Sequence, residues 1–271
     1  MIKLGLVGEG IAKSQSPDLH ERLGASLGEP VRYDLVDSRG VADFDFPSAI
    51  QRLRAEGYRG TNVTFPFKEK AAQLADIRGE GVRRVGTANT LLFDADGLRA
   101  ENTDYTGFIS AYRHSFGSQP AGEVLLIGAG GVGRAVACAL GELAVSHIHI
   151  LEHDASRAES LSRDLNAMGI NAACITSEQA QQELPQWQGV VNCSPIGHIN
   201  HPGCPIDTAG LGGQHWVFDA VYIPAHTELL NAAHQAGAKT LSGVDLFVFQ
   251  GVDAFRFSPP IASLLNRSIR M

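Results

Sequence analysis

The chain is 271 residues long, with 44% apolar and 19% charged residues, enough to bury one large core or two modest ones without disulfide or metal staples. A formal net charge of -7 with no basic stripe argues against a nucleic-acid partner, and no apolar run approaches the roughly 20 residues of a membrane span. Glycine is in excess, 30 residues against a usual share of about 7%, but with no G-x-y period; collagen is excluded and the excess belongs to turns and close backbone approaches.

Residues 3–7 read as a strand, and Glu9 behind it interrupts any signal-peptide pattern. Ser16-Pro17 opens a helix to about residue 27, with Ser16 as its cap and Pro17 in the tolerant first turn. A strand at 32–36, a helix at 46–56, a strand at 60–64 and a helix at 68–75 follow. Residues 88–93 and 98–102 then pair across an Asp96-Gly97 turn. A helix at 107–116 leads to a Gly-Ser-Gln-Pro-Ala-Gly linker at 117–122. The second series has strands at 124–127, 147–151, 172–175, 189–192 and 216–219, with helices at 133–143 and 155–168. From about Ser242 two helices are expected, separated by Pro259-Pro260. Cys138, Cys174, Cys193 and Cys204 form no C-x-x-C pair and have no zinc-spaced histidine, so reduced thiols, a cytoplasmic setting and no metal are expected.

Ile127-Gly128-Ala129-Gly130-Gly131-Val132-Gly133 follows an apolar strand and opens an alanine-rich helix, the context in which G-x-G-x-x-G means a dinucleotide. Gly128 suits a tight turn, Gly130 lets a pyrophosphate approach, and Gly133 lets helix and strand pack closely. Unpaired N–H groups at the helix start would face the phosphates. The next strand ends in Glu152-His153-Asp154, with Glu152 19 positions past Gly133, where a carboxylate accepts hydrogen bonds from ribose hydroxyls. A 2′-phosphate would meet Glu152 and Asp154, so NAD is favoured over NADP, although Arg157 is near enough in sequence to offset the repulsion.

Alternating strands and helices imply an α/β fold in two lobes. An N-terminal three-layer α/β substrate lobe is expected at 1–104, a Rossmann-like NAD-binding lobe at 105–240, and C-terminal helices at 241–271 that return to the first lobe. The first lobe carries polar clusters at strand ends: Ser14-Gln15-Ser16-Pro17, Asn62-Val63-Thr64-Phe65-Pro66-Phe67-Lys68, Gly86-Thr87-Ala88-Asn89-Thr90 and Asn102-Thr103-Asp104. Singly, Ser16 could serve only as a cap, Asn89 as a turn residue and Lys68 as an exposed lysine. Together they supply hydroxyls, amides, one cation and one carboxylate, which suits a polyhydroxylated ligand with its own carboxylate.

These motifs, in this order, resemble the shikimate/quinate dehydrogenases over essentially the whole chain: S-x-S-P, N-V-T-x-P-x-K, G-x-x-N-T, N-T-D, G-A-G-G and a late Gln250. Gly189-Val190-Val191-Asn192, His201-Pro202-Gly203 and Asp219-Ala220-Val221-Tyr222-Ile223-Pro224 are most similar to the NAD-preferring quinate/shikimate branch. The resemblance implies Lys68 and Asp104 as the catalytic pair, and Ser14, Ser16 and Tyr222 on the substrate carboxylate. It implies Thr64, Asn89, Asp104 and Gln250 on ring hydroxyls. It also implies Gly243 and Leu246 beside nicotinamide, where the family often has methionine, with Asp245 an unusual neighbour for the ring.

The implied chemistry is reversible hydride transfer between a ring carbinol carbon and NAD, in quinate/shikimate metabolism or aromatic amino acid biosynthesis. The expected partner is a small hydroxylated cyclic carboxylate, with the protein a monomer or homodimer. Lysine titrates near ~10.4 when free; Asp104 would raise that value and desolvation lower it. Lys68 therefore either transfers the proton or orients the hydroxyl while Asp104 shares the proton. Two other readings stay open: a modified substrate such as aminoshikimate, or a ligand-binding regulatory relative without turnover.

Overall fold

The computed structural model describes residues 1–257, and the helix expected beyond Pro260 lies outside them. The chain divides into two compact units, Met1–Gly107 with the chain from Gln250 onward, and Phe108–Phe249.

In chain order the first unit holds β1 (Ile2–Gly8), α1 (Ser16–Ser26), β2 (Val31–Asp37), α2 (Phe46–Ala55), β3 (Gly60–Val63), α3 (Lys68–Leu74), β4 (Ile77–Arg78), α4 (Glu80–Val85), β5 (Thr90–Asp94), β6 (Gly97–Glu101) and the start of α5 (Thr103–Phe116). Its sheet runs β2-β1-β3-β5-β6-β4, with β1 parallel to β2 and β3 and β5 antiparallel to both its neighbours. Alternation along β1 feeds two cores. Ile2, Leu4 and Leu6 join Tyr33 and Phe255 on one face, while Val7 joins Val63, Phe46, Ile50 and Leu53 on the other. The α2 helix forms because Phe46, Ala49, Ile50 and Leu53 recur on one buried face and Asp45 caps its start, accepting from Ser48 N at 3.2 Å.

Three local expectations shift. Ser16 is the first residue of α1 rather than its cap; the cap position falls on Gln15, whose side chain makes no capping bond, and the Ser16 N–H donates to Ser14 Oγ at 3.2 Å. Asp94 pairs with Gly97, which places the hairpin turn at Ala95-Asp96, one residue earlier. The cause is Asp76, whose carboxylate takes Leu98 N at 2.8 Å and anchors the start of β6. Helix α5 starts at Thr103 rather than 107, because Asn102 Oδ1 caps it by accepting from Tyr105 N at 3.0 Å. Asp104 thus rides a helix's first turn.

The second unit continues through β7 (Gly122–Ile127), α6 (Gly131–Gly141), β8 (Val145–Leu151), α7 (Ala155–Ala167), β9 (Ala172–Cys174), α8 (Ser177–Glu183), a 3-10 turn at Leu184–Gln186, β10 (Gly189–Asn192), β11 (Trp216–Asp219), α9 (Glu228–Gln235), β12 (Lys239–Ser242) and the start of α10 (Gly243–Phe257). Its six strands are all parallel, in the order β12-β11-β10-β7-β8-β9. A central parallel strand is covered on both faces, which is why Val124, Leu125, Leu126 and Ile127 are all buried without alternation. The strand order reverses between β7 and β10. That switch point is where doubly wound sheets bind ligands.

Candidate active site

In the first unit, Lys68 opens α3 and Asp104 opens α5. Lys68 Nζ donates to Asp104 Oδ2 at 2.6 Å, a short charge-assisted bond. The two side chains remain 23% and 14% exposed, so the pair is reachable by a ligand. The turn before Lys68 is held on both sides: Thr64 N donates to Val7 O at 3.0 Å, Glu9 N to Phe65 O at 2.9 Å and Ala88 N to Lys68 O at 2.9 Å.

Asn89 lies beside this pair in sequence-distant company. Its Oδ1 accepts from Thr103 N at 2.7 Å, Thr103 Oγ1 at 3.1 Å and Thr90 Oγ1 at 3.2 Å. With the carbonyl oxygen so committed, the amide orientation is fixed and Nδ2 is the end left for a ligand. Thr103 Oγ1 also lies 3.4 Å from Gln250 Oε1, and the main chain of Gln250 packs against Gly107, where a Cβ would come within 2.6 Å of it. Thr103 stood in the Asn102-Thr103-Asp104 cluster without a role of its own; the signal for one was its place directly after a capping asparagine. Behind Thr90, Asn62 Nδ2 donates to Thr90 Oγ1 at 3.0 Å and Tyr33 Oη donates to Asn62 Oδ1 at 2.8 Å. Asn62 is therefore a support rather than a presented group.

Ser14 Oγ donates to Ser16 Oγ at 3.1 Å, which places two hydroxyls together at the start of α1. One turn on, His20 is buried against Tyr33, ring centroids 4.6 Å apart, with Nδ1 2.9 Å from Ser16 O. Burial depresses the imidazole to about 4 against the opposing effect of the Ser16 bond, so His20 is neutral near pH 7 and donates to that carbonyl.

In the second unit, the glycine-rich loop stands at the carboxyl end of β7. Gly133 is required by close packing: a Cβ there would lie 2.1 Å from Gly128 O. Among the described residues, nothing beyond the adjoining chain and the helix's own backbone lies within 4 Å of a Cβ built on Gly130 or Gly131, so the approach to the start of α6 is open, the space a pyrophosphate needs. A cavity of about 530 Å³ adjoins it, lined among others by Gly128, Gly130, Glu152, His153, Arg157 and Ser194. Glu152 Oε2 accepts from Ala129 N at 2.8 Å and Oε1 from Asp154 N at 3.1 Å, with His153 Nδ1 2.6 Å from Oε1. Burial alone would raise this carboxyl, but those N–H groups and the imidazole outweigh it and hold the pKa below the usual range.

Asp154 does other work. It caps α7 by accepting from Ser156 N and Arg157 N, and pairs with Arg157 at 3.3 Å. Arg157 is thereby drawn towards a carboxylate rather than left as an uncompensated cation. Val132 lies in the first turn of α6, behind the loop.

Tyr222 is 47% exposed and stacks on Phe247 with centroids 6.0 Å apart. Its segment hangs from Asp219, which accepts from Val221 N at 3.0 Å, Asn192 Nδ2 at 2.9 Å and Thr227 Oγ1 at 2.6 Å. Gly243 starts α10 and Leu246 is buried. The Asp245 carboxylate accepts from Ser242 N at 2.8 Å and Ser242 Oγ at 2.6 Å, so it serves the start of α10. Among the described residues no group of three or more His, Cys, Asp or Glu is placed to hold a metal, and no helix is long and apolar enough to cross a membrane.

Residues 6–91 match the family model described as the shikimate dehydrogenase substrate binding domain. A quinate/shikimate dehydrogenase (NAD(+)) of Corynebacterium glutamicum (strain R) is 35% identical over 260 residues, covering 94% of this chain and 92% of that protein. The solved quinate dehydrogenase of Corynebacterium glutamicum in complex with NAD has a TM-score of 0.89 at 33% identity, covering 100% of this chain and 99% of that one. Shikimate 5-dehydrogenase from Listeria monocytogenes, solved with shikimate and NAD, has a TM-score of 0.88 at 25% identity, covering 99% and 96%. With identity of this extent across nearly the full length, the chain belongs to the shikimate/quinate dehydrogenase family.

Proposed function

We propose that this protein catalyses reversible oxidation of a ring hydroxyl of shikimate or quinate to the ketone with NAD, and that Lys68 and Asp104 manage the hydroxyl proton. The observation that supports the residue assignment is the 2.6 Å Lys68–Asp104 pair, partly exposed, in a member of this family. When bound, the nicotinamide supplies the hydride acceptor or donor.

An ammonium has three N–H donors, and Asp104 occupies one, so Lys68 keeps donors for the reacting oxygen. In the reducing direction it hydrogen-bonds the carbonyl and delivers a proton as the alkoxide forms. Oxidation is the reverse: Lys68 in its neutral amine form takes the hydroxyl proton along the same bond, with Asp104 orienting the nitrogen and stabilising the ammonium that forms. The Asn89 amide nitrogen, Thr64 and Gln250 are assigned to the other ring hydroxyls. Ser14, Ser16 and Tyr222 are assigned to the substrate carboxylate.

Glu152 is assigned to the ribose hydroxyls, and its ionised carboxylate is the reason for NAD rather than NADP. A 2′-phosphate beside it would cost several kcal/mol, on the order given by like-charge juxtaposition in a partly desolvated site. Gly128, Ala129, Gly130, Gly131, Val132 and Gly133 are assigned to the pyrophosphate turn, with His153 and Arg157 on the cavity wall.

The test is NADH formation with shikimate and with quinate, each against NAD and NADP. Turnover of either acid with NAD is expected. Thermal stabilisation by the acids without turnover would replace this reading with a binding module.

A further inference from the structure

Asp37 ends β2 and touches none of the groups assigned above, yet its carboxylate gathers three backbone N–H groups. Gly10 N at 2.7 Å and Arg39 N at 2.9 Å donate to Oδ1, and Ile11 N at 3.0 Å donates to Oδ2. The bonds from Arg39 and Gly10, then Ile11, hold this carboxyl below its usual range, so it is ionised wherever the enzyme works. Two of the donors belong to the segment that joins β1 to α1. Gly10 has φ +71°, a left-handed turn that lets successive N–H groups, its own and that of Ile11, point to one carboxylate.

Ile11 carries the restraint onward. Its N–H is held by Asp37, and its carbonyl accepts from Ser14 N at 2.9 Å. Ser14 Oγ then accepts from Ser16 N and donates to Ser16 Oγ. A continuous chain of hydrogen bonds therefore runs from Asp37 to the two hydroxyls assigned to the substrate carboxylate.

We propose that Asp37 is a positioning residue that fixes the β1–α1 segment so that Ser14 and Ser16 present their hydroxyls to the substrate carboxylate; this rests on the substrate reading above. Only a carboxylate satisfies all three donors. An amide of the same size has one acceptor atom, and whichever way it turns its NH2 meets Ile11 N, or Gly10 N and Arg39 N. The Gly10 and Arg39 N–H groups are at the surface, where water can take over, and only that of Ile11 is partly buried, so stability changes little while the geometry loosens. Displacing a binding group by about 1 Å can cost up to about 10²-fold in efficiency.

The experiment compares wild type with Asp37→Asn and Asp37→Ala on whichever of shikimate or quinate the wild type turns over, and on the methyl ester of that acid. The ester keeps the ring hydroxyls and removes the carboxylate charge. Both variants are expected to raise KM for the acid by about tenfold or more. The KM for NAD, the unfolding midpoint and kcat/KM for the ester should stay near wild type. An unchanged KM for the acid overturns the assignment, and so does an equal loss on acid and ester, which would mean general loosening. A wild type inactive on both acids overturns the substrate reading and this inference with it. An active wild type with unaffected variants overturns only the role of Asp37.

Discussion

Lys68 Nζ and Asp104 Oδ2 stand 2.6 Å apart although 36 residues separate them in the chain. The fold brings them together through two neighbouring strands. The Lys68 carbonyl is bound by Ala88 N–H just ahead of β5, and Asp104 begins the helix that follows β6, the antiparallel partner of β5. Both groups sit at helix starts set by local signals, a proline turn for Lys68 and an asparagine cap for Asp104. Neither side chain needs a long loop to hold it.

Lys68→Ala is therefore expected to lower kcat by about 10²-fold or more, the usual size for a positioned acid–base group. NAD affinity should be unchanged, because the cavity assigned to the nucleotide is lined by residues of the second unit. Steady-state kinetics with a direct NAD titration checks both parts. A variant with near-full kcat would remove Lys68 from the chemistry.

Glu152 holds two tasks, since the carboxylate assigned to the ribose also accepts from Ala129 N inside the glycine-rich loop. Glu152→Arg should shift the ratio of kcat/KM values towards NADP by removing the like-charge penalty and adding a phosphate partner. It should also lower efficiency with both cofactors, because the loop loses its acceptor. Glu152→Gln, which keeps one acceptor oxygen, should lose NAD preference with less damage to the loop. Measuring both cofactors with both variants decides the matter; an unmoved ratio in Glu152→Arg would mean that another residue reads the ribose.

What was legible in the sequence was whatever depends on near neighbours. The glycine-rich loop, the buried run of β7 and the amphipathic face of α2 each declare themselves within a dozen residues. The S-x-x-D at Ser242 to Asp245 is also a local capping pattern, and it explains why that carboxylate turns to the helix start. Supports built from distant partners were not legible. Thr103 meets Gln250 across 147 residues, and Asp37 meets Gly10 across 27, so neither role follows from spacing. Short elements such as β4, with two residues, carry too few side chains for a periodicity. In S-x-S-P the expected cap was Ser16, but the helix starts at Ser16 itself, and only the backbone path shows that the cap position falls on Gln15.

Thr103→Val tests the support of Asn89. Valine keeps the shape but removes the hydroxyl that meets Asn89 Oδ1 and lies near Gln250 Oε1. Thr103 is fully buried, but Asn89 Oδ1 keeps its bonds from Thr103 N and Thr90 Oγ1, so the lost bond should cost about 0.5–1.5 kcal/mol of stability, the range for one net hydrogen bond. With the Asn89 amide less firmly held, KM for the acid should rise more than kcat falls. Thr103→Ser, which restores the hydroxyl, should recover most of both. Chemical denaturation and steady-state kinetics on the two variants measure this, and equal behaviour of valine and serine would remove the hydroxyl from the account.

His20 sets an acid limit on stability. Its folded-state pKa is depressed to about 4, mainly by burial, from an ordinary 6.5. A depressed value means that the unfolded chain takes up a proton first as pH falls, so protonation favours unfolding. The contribution is intact above pH 6.5 and is lost progressively between 6.5 and about 4, where the folded protein also binds the proton. The slope in that window is about 1.4 kcal/mol per pH unit, and the total is on the order of 3 kcal/mol. Replacing His20 by Phe removes the titrating ring while leaving an aromatic against Tyr33, at the expense of the bond to Ser16 O. Stability measured by denaturant from pH 8 to pH 4 should therefore differ between wild type and His20→Phe by an amount that moves in favour of the variant as pH falls below about 6.5. A difference that stays constant across that range would mean that His20 takes up its proton at the same pH in the folded protein as in the unfolded chain.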